Sequence, residues 1–283
     1  MKKSITTLIG ILIAAVSFTA EAQDQSLLWK ISGNGLEKPS YIFGTIHIMC
    51  SDYELEHKVQ NALASSEQIY LELDMDDPAM ATKMQQLAVN KDMKNFSSEL
   101  KEEDKKKLNE FLVANYNAGL EQLGILKPFA LMGMILIKRI SCNAPNGVEE
   151  LIKTEAITAK KDIKGLETVE FQMGLFDNVP LEDQMVWIMD LLEDDYPEEY
   201  NQMMEAYQEE DLDKLELLMA ESPGMANYLD MLLYQRNKNW VPLISEISKD
   251  KSTFYGVGAA HLTGSKGVIS LLKKEGYTVE PVL

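Results

Sequence analysis

The chain has 283 residues and is strongly acidic, with 27 Lys and Arg residues against 45 Asp and Glu residues and a formal net charge of −18. Such a charge repels nucleic acid and anionic membrane surfaces, so neither is an expected partner. The chain is long enough to bury a large core, and no linker-like segment divides it.

The first residues have the layout of a secretory signal peptide. Lys2 and Lys3 precede an apolar stretch that ends at Ala20, and Ala20-Glu21-Ala22 supplies an Ala-x-Ala cleavage site. We therefore expect a signal peptide over residues 1–22, one domain over residues 23–283, and export to the periplasm or the extracellular space. Cleavage removes two lysines and one glutamate and makes the formal charge −19. The longest later apolar run, Phe129 to Ile137, is too short to span a bilayer, so no membrane span is expected after cleavage.

Only two cysteines are present, Cys50 and Cys142. Because exported compartments are oxidising, the two are candidates for a disulfide, and the alternative is that each is buried separately as a small apolar side chain. Two cysteines without CxxC spacing argue against a structural zinc site.

The first third of the chain has the element order of an α/β protein. Two apolar segments, Leu27 to Ile31 and Ser40 to Phe43, are joined through Gly33-Asn34-Gly35, which predicts a hairpin. A stripe of apolar residues at helical spacing follows, and then a predicted strand from Gln68 to Leu73. Strand, helix and strand in this order are typical of α/β folds.

The rest of the chain is predicted to be helical in its middle and to return to the sheet at its end. From Ala79 to about Ala159 the pattern is mainly helical, with Pro128 opening one helix. Asp162 to Leu166 is a predicted strand, more helices follow, and Thr253 to Val257 and Tyr277 to Val282 are the last strands. The expected fold is α/β, with a central mixed sheet formed by the N- and C-terminal parts and a long, mainly helical middle insertion.

Two of the three histidines stand three residues after a glycine at the end of a predicted strand. The two turns are Gly44-Thr45-Ile46-His47 and Gly258-Ala259-Ala260-His261, and each follows a tyrosine, Tyr41 or Tyr255, at the same distance. Glycine permits a sharp turn or a close approach to a ligand, and α/β proteins build sites at the carboxyl ends of strands. Imidazoles there suit metal binding or base catalysis, and the alternative is a pair of structural histidines. The third histidine, His57, is expected on the surface.

An acidic residue, Glu72, lies inside the predicted apolar strand. A carboxylate is costly to bury unless it is paired, hydrogen-bonded or bound to a metal, although strand alternation can also place it on a solvated face. Asp74 has the same parity and lies nearer the strand end, so it competes with Glu72 for a place in a site.

A basic residue, Arg236, lies in the apolar stripe that also contains Leu229, Leu233 and Trp240. Its guanidinium is therefore expected to point toward the core or a cleft and to face an acid. It either pairs with a buried carboxylate or binds a substrate carboxylate or a developing oxyanion.

These segments resemble, in order and over nearly the whole mature chain, the TraB/GumN family. The resemblance is carried by Leu28-Trp29-Lys30-Ile31, Tyr41 to His47, Leu71 to Asp74, Gly165-Leu166-Glu167-Thr168 with Gln172, Arg236-Asn237, and Gly256 to Gly264. The family is related to the Tiki metalloproteases and, more widely, to the erythromycin-esterase and ChaN-like α/β fold with long helical insertions. The resemblance implies a single site made of Gly44, His47, Glu72, Arg236, Asn237, Gly258 and His261.

The expected function is that of a divalent-metal-dependent hydrolase acting on peptide bonds or on a small molecule. His47 and His261 would be nitrogen ligands, Glu72 a third ligand or the general base, and Arg236 a catalytic group for the oxyanion or a substrate carboxylate. The resemblance implies manganese or cobalt, whereas two histidines and a carboxylate by themselves suggest zinc.

Two other functions are consistent with the same residues. The first is a non-enzymatic exported protein that binds a metal, haem or another small ligand, with Tyr41 or Tyr255 as a haem ligand. The second is a metal-free hydrolase in which a histidine acts as the general base.

Overall fold

The structure is a computed structural model that describes residues 25–50, 53–140 and 145–283, apart from the side chain of Cys50. The expected signal peptide and Cys142 lie outside these residues. Export, cleavage and the disulfide therefore stay predictions.

The described secondary structure alternates short strands with helices of very different lengths. The strands are β1 (Leu28–Gly33), β2 (Ser40–Thr45), β3 (Met49–Cys50), β4 (Gln68–Leu71), β5 (Pro145–Asn146), β6 (Ile163–Gly165), β7 (Thr253–Gly258) and β8 (Tyr277–Pro281). The α-helices are α1 (His57–Ser65), α2 (Met80–Leu87), α3 (Glu102–Tyr116), α4 (Leu120–Leu123), α5 (Pro128–Arg139), α6 (Val148–Ala159), α7 (Val169–Phe176), α8 (Leu181–Leu191), α9 (Tyr196–Gln208), α10 (Leu212–Glu221), α11 (Gln235–Asp250) and α12 (Val268–Lys274).

Six strands form one mixed sheet in the order β6-β4-β7-β2-β1-β8. The four strands β6, β4, β7 and β2 run parallel, and β1 is antiparallel to both β2 and β8. The predicted hairpin between β1 and β2 is confirmed. Its turn residues Gly33, Asn34 and Gly35 all have positive φ, of 75°, 45° and 85°, which explains the two glycines. The expected α/β fold, with a central sheet and a helical middle, is confirmed.

Apolar residues are buried in two separate clusters. The first surrounds the sheet, where neighbouring strand residues such as Ile42 and Phe43 are both buried, so both faces of β2 are covered. The second belongs to the helical middle and joins α3, α4, α5 and α8, with Leu131 and Ile135 fully buried. Pro128 is the first residue of α5, as predicted, where its missing N–H costs no hydrogen bond. The helical middle therefore has a core of its own.

One strand is shorter than its apolar pattern indicates. The pattern predicts a strand from Gln68 to Leu73, whereas β4 ends at Leu71, so Glu72 lies just beyond the strand and not inside it. A tight turn follows, in which the backbone N–H of Asp77 donates to the carbonyl and the carboxylate of Asp74.

Two further features bear on the sequence predictions. The small pair β3–β5 places Cys50 opposite Pro145, three residues after Cys142 in the chain. No helix among the described residues is long and apolar enough to cross a membrane.

Substitutions in helix α5 test whether the helical middle has a core of its own. Ile135 is fully buried in that cluster, so Ile135→Ala should lower the free energy of unfolding by about 2–5 kcal/mol through lost burial and a residual cavity. Ile137, two residues along the same helix, is 46% exposed, and Ile137→Ala is the matched control with little expected effect. Denaturant unfolding measures both, and equal losses in the two variants would contradict this packing.

Candidate functional site

Four neighbouring parallel strands deliver polar side chains to one edge of the sheet. His47 follows β2, Glu72 follows β4, Glu167 follows β6, and His261 follows β7. Because the carboxyl ends of adjacent parallel strands meet at the same edge, residues far apart in the chain come together there. This edge is the candidate functional site.

The two Gly-x-x-His turns pack directly against each other. The strands β2 and β7 are neighbours, and their register places Thr45 opposite Gly258, so the two turns are offset by one residue. A Cβ atom at Gly44 would stand 3.0 Å from the Cα of Ala259. Glycine is therefore needed at position 44 because the second turn packs onto it.

Asn237, on helix α11, holds His261 in one tautomer. The amide nitrogen of Asn237 donates to backbone carbonyls, those of His261 and Lys266, so its Oδ1 is an acceptor. The Nδ1 of His261 lies 2.6 Å from that oxygen and must carry the hydrogen, which leaves a lone pair on Nε2. Burial is the main reason why the pKa of His261 falls to about 3, so the ring is neutral at neutral pH. The indole of Trp240 packs on the ring, with 4.3 Å between centroids.

Glu149, on helix α6, holds His47 by the same ring nitrogen. The Nδ1 of His47 donates to the Oε1 of Glu149 at 2.7 Å, and the same oxygen accepts from the hydroxyl of Thr45 at 2.7 Å. The His47 side chain is 70% exposed, whereas His261 is buried, so the two half-sites are not equivalent. Surrounding protein weakens solvation of the charged ring and lowers its pKa, but the Glu149 carboxylate outweighs this effect and raises the pKa to about 9.

A buried guanidinium links the remaining residues of the site. Arg236 donates from Nη2 to Glu72 Oε2 at 2.5 Å and to Glu167 Oε2 at 2.8 Å. Its Nε also donates to Glu167, and its Nη1 lies 2.9 Å from the carbonyl oxygen of Leu232 and 3.1 Å from the Nε2 of His261. The five N–H groups of Arg236 are thus all engaged within the protein.

The backbone before Arg236 is unusual. The segment Asp230–Tyr234 is a π-helix that continues into α11, and π-helical turns are often found at functional sites. The carbonyl of Leu232, inside this segment, is the one that accepts from Arg236. The wider turn therefore supplies one of the groups that orient the guanidinium.

Glu72 is held as a carboxylate from several sides. Its Oε1 accepts from the backbone N–H of Gly258 at 2.7 Å, and its Oε2 accepts from the Gln172 amide at 2.9 Å. Burial favours the neutral acid, but the neighbouring histidines and Arg236 outweigh it and lower the pKa of Glu72 to about 2. Because His261 is neutral at neutral pH, Arg236 is the buried cation that Glu72 meets there. Glu72 is therefore ionised at neutral pH.

The structure brings together most of the residues singled out in the sequence. Glu72, Arg236 and His261 are in contact, Asn237 orients His261, and His47 is near enough to Glu72 for each to affect the pKa of the other. Arg236 faces acids, as predicted.

Other sequence candidates lie apart from this cluster. Asp74 belongs to the turn after β4, and His57 is exposed on α1. Tyr255 is fully buried, and its hydroxyl is paired with Ser248, so it offers no open face to a haem. Tyr41 is half-buried and packs against the core.

Three residues of the site were not predicted from the sequence as functional candidates: Glu149, Glu167 and Gln172. Glu167 and Gln172 lie in the segment that carries part of the family resemblance, which is a signal that could have found them. Glu149 is one of several acidic residues near the start of a helix, and nothing in its local sequence distinguishes it.

The donor atoms of the site suit a divalent cation, although no set of three is already gathered. The Nε2 of His261 and the Oε1 of Glu72 lie 3.7 Å apart. That separation can be bridged by a cation about 2.0–2.2 Å from each atom. The Nε2 lone pair accepts from the Nη1 of Arg236, so a cation bound there would take the place of that hydrogen bond, whereas Oε1 accepts from Gly258 and keeps a second lone pair. Among the described residues, however, no three His, Cys, Asp or Glu side chains form a metal-binding group.

Comparison with known proteins identifies the family. The model of the TraB/PrgY/gumN family matches residues 27–281, nearly the whole chain, and the chain belongs to this family. No curated protein and no solved structure matches it.

The contact between Glu149 and His47 predicts a measurable change in pKa. Replacing Glu149 with Gln removes the carboxylate that raises the pKa of His47, so that pKa should fall from about 9 to the ordinary value of 6.5 or below. NMR titration of the imidazole signals measures it. Glu150→Gln is the matched control because Glu150 pairs with Lys153 and not with His47. An unchanged pKa in Glu149→Gln would contradict the assigned contact.

The contacts of Arg236 predict that its substitution lowers stability by an amount that depends on pH. Lysine cannot reproduce the guanidinium contacts, so Arg236→Lys should lower the melting temperature, and Arg236→Ala should cost about 3–5 kcal/mol because buried carboxylates lose their cation. Pairing lowers the pKa of Glu72 from 4.5 to about 2, so its stabilising contribution is complete above pH 4.5 and is lost as pH falls toward 2.

The difference in melting temperature between wild type and Arg236→Lys should therefore be largest near pH 7 and shrink in acid. Arg139→Lys is a control, since the Arg139 guanidinium donates to a backbone carbonyl, that of Glu193, outside the site. A decrease in melting temperature for Arg236→Lys that is no larger than the decrease for Arg139→Lys would contradict the role of Arg236 in bridging Glu72 and Glu167.

Proposed function

We propose that the protein is a hydrolase that uses a divalent cation, held by His47, His261 and Glu72, to cleave peptide bonds. One observation carries the proposal: both histidines have their Nδ1 fixed by a side-chain oxygen, one from Asn237 and one from Glu149. Histidines that bind metals usually donate one ring N–H to such an acceptor and bind the metal through the other nitrogen.

The charge of the site also supports a bound cation. One guanidinium, that of Arg236, contacts two carboxylates, those of Glu72 and Glu167, while His261 is neutral at neutral pH. With both carboxylates ionised, this buried group has a formal net charge of −1. A cation beside the Oε1 of Glu72 would offset that charge.

The bound cation would polarise the scissile carbonyl and lower the pKa of a water molecule. Glu72 suits the role of ligand better than that of general base, because a carboxylate with a pKa of about 2 is a weak proton acceptor at neutral pH. Arg236 acts as a positioning residue, since all its N–H groups are engaged in holding Glu72, Glu167, His261 and Leu232.

His47 binds a cation only after releasing the proton that it holds below about pH 9. Metal affinity should therefore fall as pH falls. Glu149 keeps the ring oriented in both protonation states because its Oε1 accepts from Nδ1.

The substrate class and the cation rest on family relationship and donor chemistry. A peptide substrate, and manganese or cobalt as the cation, come from the resemblance to the Tiki metalloproteases, whereas two imidazoles and a carboxylate also suit zinc. We place the reaction in the periplasm or the extracellular space, after removal of residues 1–22. Mass spectrometry of the protein's N-terminus after expression in a bacterial host tests this placement, which a retained Met1 would contradict.

Metal binding and peptide cleavage should be lost together in the histidine variants. The chelator-treated protein is titrated with Mn²⁺, Co²⁺ and Zn²⁺, and a mixed peptide library is digested at each metal concentration. We expect wild type to bind one cation and to cleave peptides, and His47→Ala and His261→Ala to show no measurable cation binding and no cleavage. His57→Ala is the matched control, because His57 is exposed on α1 away from the site.

The other outcomes distinguish the alternatives. Cation binding without cleavage of any peptide would favour a binding protein, and cleavage that survives chelation would favour a metal-free hydrolase. Wild-type affinity for the cation in both His47→Ala and His261→Ala would overturn the proposed ligand set.

A further inference from the structure

The first Gly-x-x-His turn carries an exposed ligand. The His47 side chain is 70% exposed, so the core does not surround it, whereas His261 is buried against Trp240. An imidazole binds a cation tightly when its orientation is fixed before the cation arrives. The backbone around His47 must therefore be fixed by contacts from other elements of the fold.

Helix α9 supplies the first of these contacts. The hydroxyl of Tyr207 donates to the carbonyl of Gly44 at 2.8 Å, and the hydroxyl of Tyr200 donates to the carbonyl of Ile48 at 3.2 Å. These carbonyls lie three residues before and one residue after His47 in the chain. Tyr207 is fully buried in the cluster around the sheet, so its hydroxyl is held where it meets the turn.

The strand β5 and the start of α6 supply a second set of contacts. The backbone N–H of Val148 donates to the carbonyl of Ile46 at 3.0 Å, and the pairing of β3 with β5 places Met49 opposite Asn146. The two segments are thus joined both before and after His47. The carboxylate that holds the imidazole lies in the first turn of the same helix, α6.

Gly147 allows these two segments to lie close together. A Cβ atom at position 147 would stand 2.7 Å from the carbonyl oxygen of His47 and 2.8 Å from the Oε2 of Glu149. The first of these atoms belongs to the backbone, so one segment would have to move. Gly147 has a φ of −80° and a ψ of 148°, which any residue adopts. Glycine is therefore required here for space and not for its backbone conformation.

We propose that Tyr207 and Gly147 are positioning residues for His47. Tyr207 fixes the carbonyl of Gly44, where the turn begins, and Gly147 leaves room for the carboxylate of Glu149 to reach the imidazole. Both residues act through another group. Their role rests on the proposed function in taking His47 as a cation ligand, but the position of the imidazole can be measured without a cation.

Histidine NMR of the cation-free full chain tests the proposal. The chain has three histidines, so ¹³C-labelled histidine gives three imidazole signals, and His47→Ala identifies the relevant one. At neutral pH we expect Tyr207→Phe and Gly147→Ala each to shift that signal toward its position in Glu149→Gln, because the ring loses contact with the carboxylate. The signal of His57 should stay in place.

Two matched controls carry the same substitutions elsewhere. Tyr116→Phe removes a hydroxyl that also donates to a backbone carbonyl, that of Met134, in the helical middle. Gly133→Ala adds a Cβ atom that meets nothing within 4 Å. Neither control should shift the His47 signal. Tyr207→Phe and Tyr116→Phe should each lower the melting temperature by about 2–4 °C, as expected for one lost hydrogen bond, so a signal that shifts only in Tyr207→Phe reports positioning.

Cation affinity is the second measurement. Titration with Mn²⁺, Co²⁺ and Zn²⁺ should show binding about 10–100-fold weaker in Tyr207→Phe and Gly147→Ala than in wild type, and binding at the wild-type level in Tyr116→Phe. Wild type that binds none of the three cations would contradict the proposed function, and the His47 signal would then decide the positioning role by itself.

An unchanged His47 signal in both Tyr207→Phe and Gly147→Ala, or an equal shift in their controls, would overturn the proposal. A shifted signal together with wild-type cation affinity would overturn it as well, because the turn would then have moved without any consequence for binding. If Gly147→Ala does not fold, as judged by circular dichroism, Tyr207→Phe and its control Tyr116→Phe decide.

Discussion

The site depends on one buried guanidinium. Arg236 is the cation that makes two buried carboxylates, Glu72 and Glu167, tolerable in the interior, and it also lies against the Nε2 of His261. A buried charge without a partner is strongly destabilising, so these groups form a unit in which each fixes the others. Asn237, the next residue on the same helix, fixes the tautomer of His261. Helix α11 thereby determines both the charge and the hydrogen-bonding state of the site.

The sheet makes this unit possible, because four adjacent parallel strands end at one edge. The helices of the second apolar cluster lie in the chain between β4 and β7, on either side of β6, so they add material without interrupting the edge. Glu149 lies on α6, a helix that packs in the cluster around the sheet, and accepts the hydrogen bond that holds His47. The two histidines consequently have matching hydrogen bonds but contrasting environments. His261 is buried and neutral at neutral pH, and His47 is open and protonated there.

Much of this arrangement could be predicted from the sequence because it depends on local pattern. Strand-end glycines mark both turns, and an arginine in an apolar helical stripe must face an acid. What could not be predicted depends on contacts across the chain. Glu149 lies 102 residues from His47, and its position at the start of a helix resembles that of several other acids. The end of β4 before Glu72 could not be predicted either, because the apolar pattern continues through Leu73.

In the proposed site, the two Gly-x-x-His turns bind one cation together with the carboxylate that Arg236 holds. A crystal structure of the mature chain grown with Mn²⁺, with anomalous diffraction recorded near the manganese edge, tests it most directly. We expect one strong anomalous peak within about 2.0–2.4 Å of the Nε2 atoms of His47 and His261 and of a carboxylate oxygen of Glu72. A fully occupied manganese peak elsewhere, or no peak at this edge of the sheet at saturating Mn²⁺, would contradict it.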